Sequence, residues 1–371
     1  MIDKKLQVVL VGPCRDLPKD FAVAGQSTAC RGLISSPLSR YVDWIFVDTT
    51  IESLFPPPLP RRLLLAIRRT ATYLGIILRS RLDGVLIFTS WGYSILEKGA
   101  MVFAARLFGK RVILNPRSGL ILDDLKKSRF MRWFIPSVFR QCNIVMCQTQ
   151  SWKQFYQSIS GLPDNRFIVI PNWIDLEPYL NISVQRKRAD DRVSILFLGR
   201  IERNKGVYTL AEAVQMFHED LRYCRFIICG MGSEAGAFKE KIADLGLSHL
   251  FEFRGWVTGL EKIKALREAD IFVLPSYLEG LPNSLLEAMA SGLAVVATAV
   301  GGIPDILDDN TGMLIQPGDG ESLGRAIVEL SKSAELRGQL GQRARSYVLE
   351  NHDINKIWPQ FLNMLQMNSR Q

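Results

Sequence analysis

The chain has 371 residues, enough for two ordinary domains at roughly 150 residues each. Hydrophobic residues make up 47% and charged residues 22%, a balance that is normal for a folded protein and excludes intrinsic disorder. The net charge of +9 is uneven, because residues 1–190 carry +13 and residues 191–371 carry −4. A large anionic partner, such as a membrane surface, is therefore expected for the first half only.

Other classes are excluded by simple patterns. No apolar run reaches the roughly 18–20 residues that a membrane-spanning helix needs, and the first residues are typical of a strand and not of a secretory signal. The six cysteines are scattered without metal-ligand spacing, so we expect reduced, buried thiols and no metal site.

Short runs rich in Val, Ile and Phe alternate with helical patterns along the whole chain. They lack polar alternation, which is typical of parallel strands that helices cover on both faces. The pattern predicts an α/β protein with two doubly wound, Rossmann-like parallel sheets. The predicted strands cover residues 6–11, 44–47, 85–89, 112–114, 144–147, 167–170, 194–198, 226–229, 251–253, 271–274, 294–297 and 313–315.

The polar, charged segment 181–192 is predicted to be a linker between an N-terminal domain, residues 1–180, and a C-terminal domain, residues 193–352. Ligands of open parallel sheets bind at the carboxyl ends of the strands. We therefore expect the two sheets to face each other across a cleft, with a site that is built from both halves.

The proline-rich segment 55–60 is predicted to be a surface loop, and the segment 61–79 that follows it a basic amphipathic helix. Such a helix can lie in the headgroup layer of an anionic membrane; alternatively, its apolar side is core and its arginines are merely solvated. A second basic stretch carries Trp133 and Phe134 as aromatic anchors. The residues that we expect to face a membrane are Arg61, Arg62, Arg68, Arg69, Lys126 and Lys127.

The segment 275–292 contains the strongest local motif. A strand ends before it, a turn with Gly280 and Pro282 follows, and a helix is predicted from Asn283 as N-cap to Gly292 as C-cap. The first amides of that helix, with the positive end of its dipole, suit a diphosphate. Glu279 and Glu287 flank these amides and can accept hydrogen bonds from sugar hydroxyls. The alternative is a capped helix with two solvated glutamates.

A second motif follows the first strand of the C-terminal half. Gly199 lets a ligand approach the backbone, while Arg200 and Lys205 supply two cations that would neutralise a diphosphate leaving group. The alternative is a loop with surface cations. Gly230 lies in a Gly-x-Gly turn after a later strand, and Gly25 precedes a helix predicted over residues 28–34.

Together, Gly199-Arg200 with Lys205-Gly206, the Glu279-x7-Glu287 spacing and the segment 168–175 resemble family 4 glycosyltransferases. These are retaining, nucleotide-sugar-dependent enzymes with the two-domain GT-B fold. The resemblance implies that Arg200, Lys205 and Glu279 are catalytic, and that the last helix, within residues 353–371, crosses back to the N-terminal domain. The donor-binding residues that it implies are Gly25, Gly199, Gly230, Gly280, Leu281, Pro282, Asn283, Ser284, Leu285 and Glu287.

The chain departs from the family pattern at three places. The glycine pair before the first helix is Ala24-Gly25, and the Asn-Gly after the sixth strand is Asn172-Trp173. Where many members have a His after the fourth strand, this chain has Arg117. From this position we expect Arg117 to lie in the cleft. A guanidinium cannot act as a base, so Arg117 is given no role there.

The resemblance implies a metal-independent hexosyltransferase with no cofactor, whose donor is a UDP- or GDP-sugar. With the basic first half, it suggests a lipid-linked or oligosaccharide acceptor and a cytoplasmic enzyme at the inner membrane that builds an envelope polysaccharide. Two alternatives stay open: a GT-B epimerase of the nucleotide sugar, and a non-catalytic protein that binds a nucleotide sugar or an anionic lipid. A nucleic-acid partner is not expected, because the basic residues do not alternate with stacking aromatics.

Overall fold

The computed structural model describes residues 5–15, 25–50, 58–182 and 192–367. The described residues form two compact units. Unit 1 contains those up to Ile174 together with those from Ile354 onward, and unit 2 contains those within Asp175–Asp353. Most of the predicted linker, and residues 55–57 of the predicted proline-rich loop, lie outside the described residues.

The described part of unit 1 is built on a six-stranded sheet in the order β2-β1-β3-β4-β5-β6. Every neighbouring pair in it is parallel. The strands are β1 (Leu6–Gly12), β2 (Val42–Asp48), β3 (Gly84–Thr89), β4 (Val112–Pro116), β5 (Ile144–Cys147) and β6 (Phe167–Val169).

Unit 2 repeats this architecture, with a described six-stranded sheet in the order β12-β11-β10-β7-β8-β9. Its neighbouring pairs are also parallel, so the predicted pair of doubly wound sheets is confirmed. The strands are β7 (Val193–Leu198), β8 (Cys224–Cys229), β9 (Phe251–Gly255), β10 (Ile271–Leu274), β11 (Ala294–Thr298) and β12 (Met313–Ile315).

Apolar residues on both faces of the strands explain why the pattern in the sequence was continuous. In β1, Val9 and Val11 belong to one core cluster, whereas Val8 and Leu10 belong to the cluster on the opposite face. Successive side chains of a strand point to opposite faces, so a strand covered on both sides must be apolar throughout.

The helices that precede unit 2 in the chain cover both faces of the unit 1 sheet. Two of them begin earlier than predicted: α2 starts at Leu59, inside the predicted loop, and α1 starts at Gly25, which is therefore not in a loop. Proline is tolerated in the first turn of a helix, which explains the early start of α2. The helices are α1 (Gly25–Ser35), α2 (Leu59–Arg79), α3 (Tyr93–Leu107), α4 (Ile121–Lys127), α5 (Arg129–Gln141) and α6 (Gln150–Ser160).

Seven helices are described in unit 2, and one further helix, α14, returns the chain to unit 1. In the described ranges, none of the helices combines the length and the apolar character that crossing a membrane requires. The helices are α7 (Glu177–Leu180), α8 (Val207–Met216), α9 (Ala235–Asp244), α10 (Gly259–Glu268), α11 (Asn283–Ala290), α12 (Gly320–Lys332), α13 (Ala334–Asn351) and α14 (Ile354–Gln366).

Helix α14 is part of the core of unit 1. Phe361 is fully buried and meets the ring of Trp173 edge-on, with 4.8 Å between the ring centroids. The indole of Trp173 in turn donates a hydrogen bond to the carbonyl of Ala29 in α1, at 3.0 Å. Arg111 donates to the carbonyls of Met364 and Leu365 at the end of α14. The last helix thus closes one face of the first sheet.

We expect Phe361→Ala to lower the free energy of unfolding of unit 1 by about 3–5 kcal/mol, because the substitution leaves a cavity against Trp173. Urea unfolding followed by tryptophan fluorescence measures the change. Asn363→Ala, at an exposed position of the same helix, is the control and should change the stability by less than about 0.5 kcal/mol. A loss below 1 kcal/mol for Phe361→Ala would contradict the role of α14 in this core.

Candidate functional site

Two loops of unit 2 meet at one edge of its sheet. β7 and β10 are parallel neighbours, so the loops that follow them, residues 199–206 and 275–282, leave from the same edge. The amide of Tyr277 donates to the carbonyl of Asn204 at 2.8 Å. Gly206 has a φ of +70°, and a Cβ there would lie 1.8 Å from the carbonyl oxygen of Pro275. Only glycine allows this approach.

The two loops are also joined by an ion pair. Lys205 Nζ lies 2.6 Å from Glu279 Oε1, and the lysine and glutamate side chains are 23% and 8% exposed. Ser276 Oγ donates to the same oxygen at 2.8 Å. The turn after Glu279 is held from behind, because the amide of Gly302 donates to the carbonyl of Gly280 at 2.7 Å. The carboxylate of Glu279 is therefore fixed beside a cation.

Helix α11 begins at Asn283, so the N-cap is Pro282 and not Asn283 as predicted. Pro282 has no side-chain donor or acceptor, and its carbonyl accepts the amide of Leu286. The amides of residues 283–285 consequently precede the first hydrogen bond within the helix, whereas an N-cap at Asn283 would have made these the amides of residues 284–286. The helix ends at Ala290 with Ser291 as C-cap, and the predicted cap, Gly292, is the next residue, with a φ of +70°.

Glu287 lies on α11 and is buried. Lys262 Nζ of α10 donates to its Oε1 at 2.6 Å, and the hydroxyl of Tyr179 donates to the same carboxylate. Burial, together with the charge of Glu287, raises the pKa of Tyr179 far above its usual range. Lys262 and Tyr179 were missed at the sequence level, because neither belongs to a local motif and only the packing of α10 and α7 brings them to Glu287.

Arg200 differs from Lys205 in its surroundings. Its side chain is 54% exposed, and its Nη2 lies 3.0 Å from Glu202 Oε1 in its own loop. Glu202 also accepts from Ser233 Oγ at 2.7 Å, in the loop after β8. The structure thus joins Lys205 to the 275–282 loop and pairs Arg200 with a different carboxylate.

The predicted donor-binding glycines differ in whether packing requires a residue without a Cβ. A Cβ on Gly230 would lie 1.8 Å from the carbonyl oxygen of Gly199, so packing between two loops requires glycine there. A Cβ on Gly199 would meet only the ring of Phe197 at an ordinary contact distance, so packing does not require it. Gly25 is the first residue of α1 and belongs to unit 1.

Arg117 also lies in unit 1, directly after β4. Its guanidinium carbon is 4.9 Å from the centroid of the Trp173 ring and 5.6 Å from that of Phe88. Burial lowers the pKa of Arg117 to about 10, so it still carries a charge at neutral pH.

The basic residues expected to face a membrane also lie in unit 1. Arg61 and Arg68 are exposed on α2, and Arg62 stacks over the ring of Tyr93 at 4.5 Å. Arg69 is different, because its Nε pairs with Glu97 at 2.7 Å and the two side chains are largely buried. We therefore remove Arg69 from this set. Lys126 and Lys127 are exposed at the end of α4.

No group of three or more His, Cys, Asp or Glu side chains in the described residues is arranged to hold a metal ion. The groups of the unit 2 site that can bind a ligand are its fixed carboxylates, its lysines and the N-terminus of α11.

Both motifs lie in a part of the chain that is similar to a known family. Residues 180–347 match the family described as glycosyl transferases, group 1. The chain is 27% identical over 67% of its length to an uncharacterized glycosyltransferase of Methanocaldococcus jannaschii. It is 29% identical over 57% of its length to the amylovoran biosynthesis glycosyltransferase AmsK of Erwinia amylovora. The matches cover 65% and 52% of these two relatives, so the chain spans between about half and two thirds of their length.

Solved structures show the same fold. HepE of Anabaena in complex with UDP-glucose superposes with a TM-score of 0.73 over 98% of this chain and 100% of that one. The sequence identity is 16%, so this likeness concerns the fold alone, which is GT-B.

We expect Gly206→Ala to destabilise unit 2 by about 2 kcal/mol or more, because alanine at a positive φ is strained and its Cβ collides with Pro275. Differential scanning calorimetry measures the loss. Gly236→Ala, at an open position of α9, is the matched control and should leave the stability unchanged or slightly raised. Equal effects at the two positions would refute the close approach of the loops.

Proposed function

We propose that this chain transfers a hexose from a nucleoside diphosphate sugar to a saccharide acceptor. Its residues 180–347 match the glycosyl transferases group 1 family. The observation that carries the proposal is the convergence of Lys205 and Glu279, from two loops 74 residues apart, beside the first turn of α11. The name of AmsK, and the UDP-glucose in the complex of HepE, support a UDP- or GDP-sugar as donor and an envelope polysaccharide as product.

In this proposal, unit 2 stabilises the charge that develops on the diphosphate as the bond to the anomeric carbon breaks. Lys205 is held in place by Glu279. Among the described residues, Arg200 is bound only by a surface ion pair, which is worth about 0–1 kcal/mol. A phosphate can therefore replace Glu202 as the partner of Arg200 at little cost. The amides of the first turn of α11 add the positive end of the helix dipole.

The two carboxylates have different tasks. Glu287 is oriented by Lys262 and Tyr179, which leaves its remaining lone pairs to accept hydrogen bonds from the ribose hydroxyls. Glu279 is fixed by Lys205 and Ser276 and accepts from hydroxyls of the transferred sugar. Gly199, which packing does not require, leaves the backbone open to the donor.

We further propose a retaining, metal-independent reaction, in which the acceptor attacks from the side that the diphosphate leaves and the phosphate takes the acceptor's proton. The two cations and the helix N-terminus supply the electrostatic stabilisation that a metal ion supplies elsewhere. The resemblance to retaining family 4 enzymes supports the stereochemistry.

The acceptor side is proposed to work at a membrane surface. In α2, Leu64 and Ile67 are 66% and 67% exposed next to the exposed arginines of that helix. In α5, Trp133 is 64% exposed, with Phe130 beside it at a ring-centroid distance of 6.0 Å. The side of α2 that carries Tyr73 and Ile77 is core, because both residues are fully buried.

Helix α2 therefore has a buried side and, towards its N-terminus, exposed leucine and isoleucine side chains among arginines. Exposed apolar side chains next to exposed basic ones fit the headgroup region of an anionic bilayer. We propose that unit 1 binds the cytosolic face of the inner membrane, where a lipid-linked acceptor would be presented.

Lys205→Ala should lower the transfer rate by roughly a hundredfold, since removing one preorganised donor from a developing charge costs about 3 kcal/mol in the barrier. Glu287→Gln should also lower the rate, because the substitution removes a carboxylate oxygen that accepts hydrogen bonds from the ribose hydroxyls of the donor. Release of nucleoside diphosphate in the presence of acceptor is the measurement. Lys264→Ala, on the same helix as Lys262 but with a 75% exposed side chain, is the control and should keep full activity.

Activity within threefold of the parent in both variants would refute this site. Consumption of the donor without any acceptor would favour an epimerase, and binding of a nucleoside diphosphate without turnover would favour a non-catalytic binding protein.

Replacing Arg61, Arg62 and Arg68 together by Gln should release the protein from vesicles that contain phosphatidylglycerol, because each basic residue near an anionic surface contributes about 1 kcal/mol. Sedimentation with the vesicles measures the bound fraction at low and high salt. The matched control replaces Lys239, Lys241 and Lys264 of unit 2 by Gln, which removes the same charge from exposed positions. Equal loss in both variants would show an effect of net charge only.

A further inference from the structure

Unit 1 contains a polar cluster that the proposed chemistry does not use. Three side chains at the carboxyl ends of β4 and β5 carry buried polar atoms without a hydrogen-bond partner: Asn115, through both atoms of its amide, Arg117, through Nη1, and Gln148, through Oε1. Asn115 is 0% exposed and Gln148 2%. We call these three residues the unit 1 polar cluster.

The cluster lies on one face of the sheet. Asn115 is two residues after Ile113 and Gln148 two residues after Met146, and both of these apolar residues belong to the core cluster that α1 and α14 cover. Arg117 stacks over Trp173 of the same core cluster. The other end of the Gln148 amide donates to Asn172 Oδ1 at 2.7 Å, which fixes its orientation and leaves Oε1 without a partner.

These unpaired atoms cost stability. A buried polar atom without a partner loses its hydration, and nothing in the protein replaces it. Arg117 also carries a charge, and no carboxylate among the residues that the structure describes forms an ion pair with it. Rings of Trp173 and Phe88 attract the guanidinium, but they offer it no hydrogen-bond acceptor. A buried polar group of this kind needs a partner that the described residues do not supply.

A ligand that pairs with all three side chains would carry an oxyanion and at least one hydroxyl group. Arg117 offers charged N–H donors, and the Asn115 amide offers two further donors together with an acceptor. Gln148 Oε1 accepts, and so suits a hydroxyl. A neutral sugar would leave the charge of Arg117 unpaired, whereas an inorganic anion would leave the acceptors of Asn115 and Gln148 unpaired.

We propose that the unit 1 polar cluster binds a sugar that carries an oxyanion, a carboxylate or a phosphate, with the anion on Arg117 and ring hydroxyls on Asn115 and Gln148. The inference rests on the proposed function in one respect, because it takes the acidic sugar to be the terminal sugar of the saccharide acceptor. It names the substrate class of unit 1: an acidic saccharide.

Binding to the whole chain tests the proposal without any transfer reaction. Glucuronate, glucose 6-phosphate, glucose and inorganic phosphate are titrated separately by calorimetry. We expect the acidic sugars to bind at least tenfold more tightly than glucose or phosphate. Comparing glucuronate with glucose 6-phosphate tells a carboxylate from a phosphate. Equal affinity for glucose and the acidic sugars would overturn the proposal.

Variants separate binding from a structural role. Arg117→Gln should weaken the acidic sugar at least tenfold and leave glucose unchanged, while Arg132→Gln, at an exposed position of α5, should change neither. Asn115→Leu, of similar volume, should raise the melting temperature and weaken the acidic sugar, because it removes an unpaired buried amide. A lower melting temperature with unchanged binding would assign Asn115 to the core and overturn its role here.

The same titrations include UDP and GDP, which the proposed function assigns to unit 2. Arg117→Gln should keep nucleotide binding, and Lys205→Ala should lose it while keeping the acidic sugar. If neither nucleotide binds the parent chain, the proposed function fails, while the acidic-sugar site is still decided by its own titration.

Discussion

The parallel register of β7 against β10 is the constraint on which the unit 2 site depends. Because the two strands run side by side in the same direction, the loops after Leu198 and Leu274 must leave from one edge. Gly206 then allows backbone contact with Pro275, and Lys205 reaches Glu279. Without that register, a lysine and a glutamate 74 residues apart in the chain would have no reason to meet.

The two units treat buried charge differently. In unit 2, Glu279 and Glu287 each have a lysine at 2.6 Å, so their desolvation is compensated and their orientation is fixed. In unit 1, Arg117 stacks over the rings of Trp173 and Phe88, and its buried Nη1 has no hydrogen-bond partner. Paired carboxylates can present lone pairs to hydroxyls, whereas a guanidinium nitrogen without a partner can donate to an anion. This difference in electrostatics is why we assign the neutral sugar of the donor to unit 2 and an acidic sugar to unit 1.

Helix α2 presents different sides to the core and to solvent. Tyr73 and Ile77 are core, while Leu64 and Ile67 are exposed. At 100° per residue, Tyr73 and Leu64 lie on opposite sides of the helix, which accounts for the difference between them. Arg69 is a charged example. It pairs with Glu97 of α3 and therefore does not lie on the exposed surface that its spacing in the sequence predicted.

The sequence by itself determined the two sheets, the twelve strand positions and the motifs at the strand ends, since continuous apolar runs and helix-breaking glycines are local properties of the chain. It also placed the start of α11 within one residue; the error at Asn283 arose because Pro282 fixes an extended backbone without a capping side chain. Tertiary structure alone decided the partners: Lys262 and Tyr179 for Glu287, Glu97 for Arg69, and the lack of an ion-pair partner for Arg117 within the described residues. Partners depend on which helices pack together, and packing brings together residues that no spacing in the chain relates.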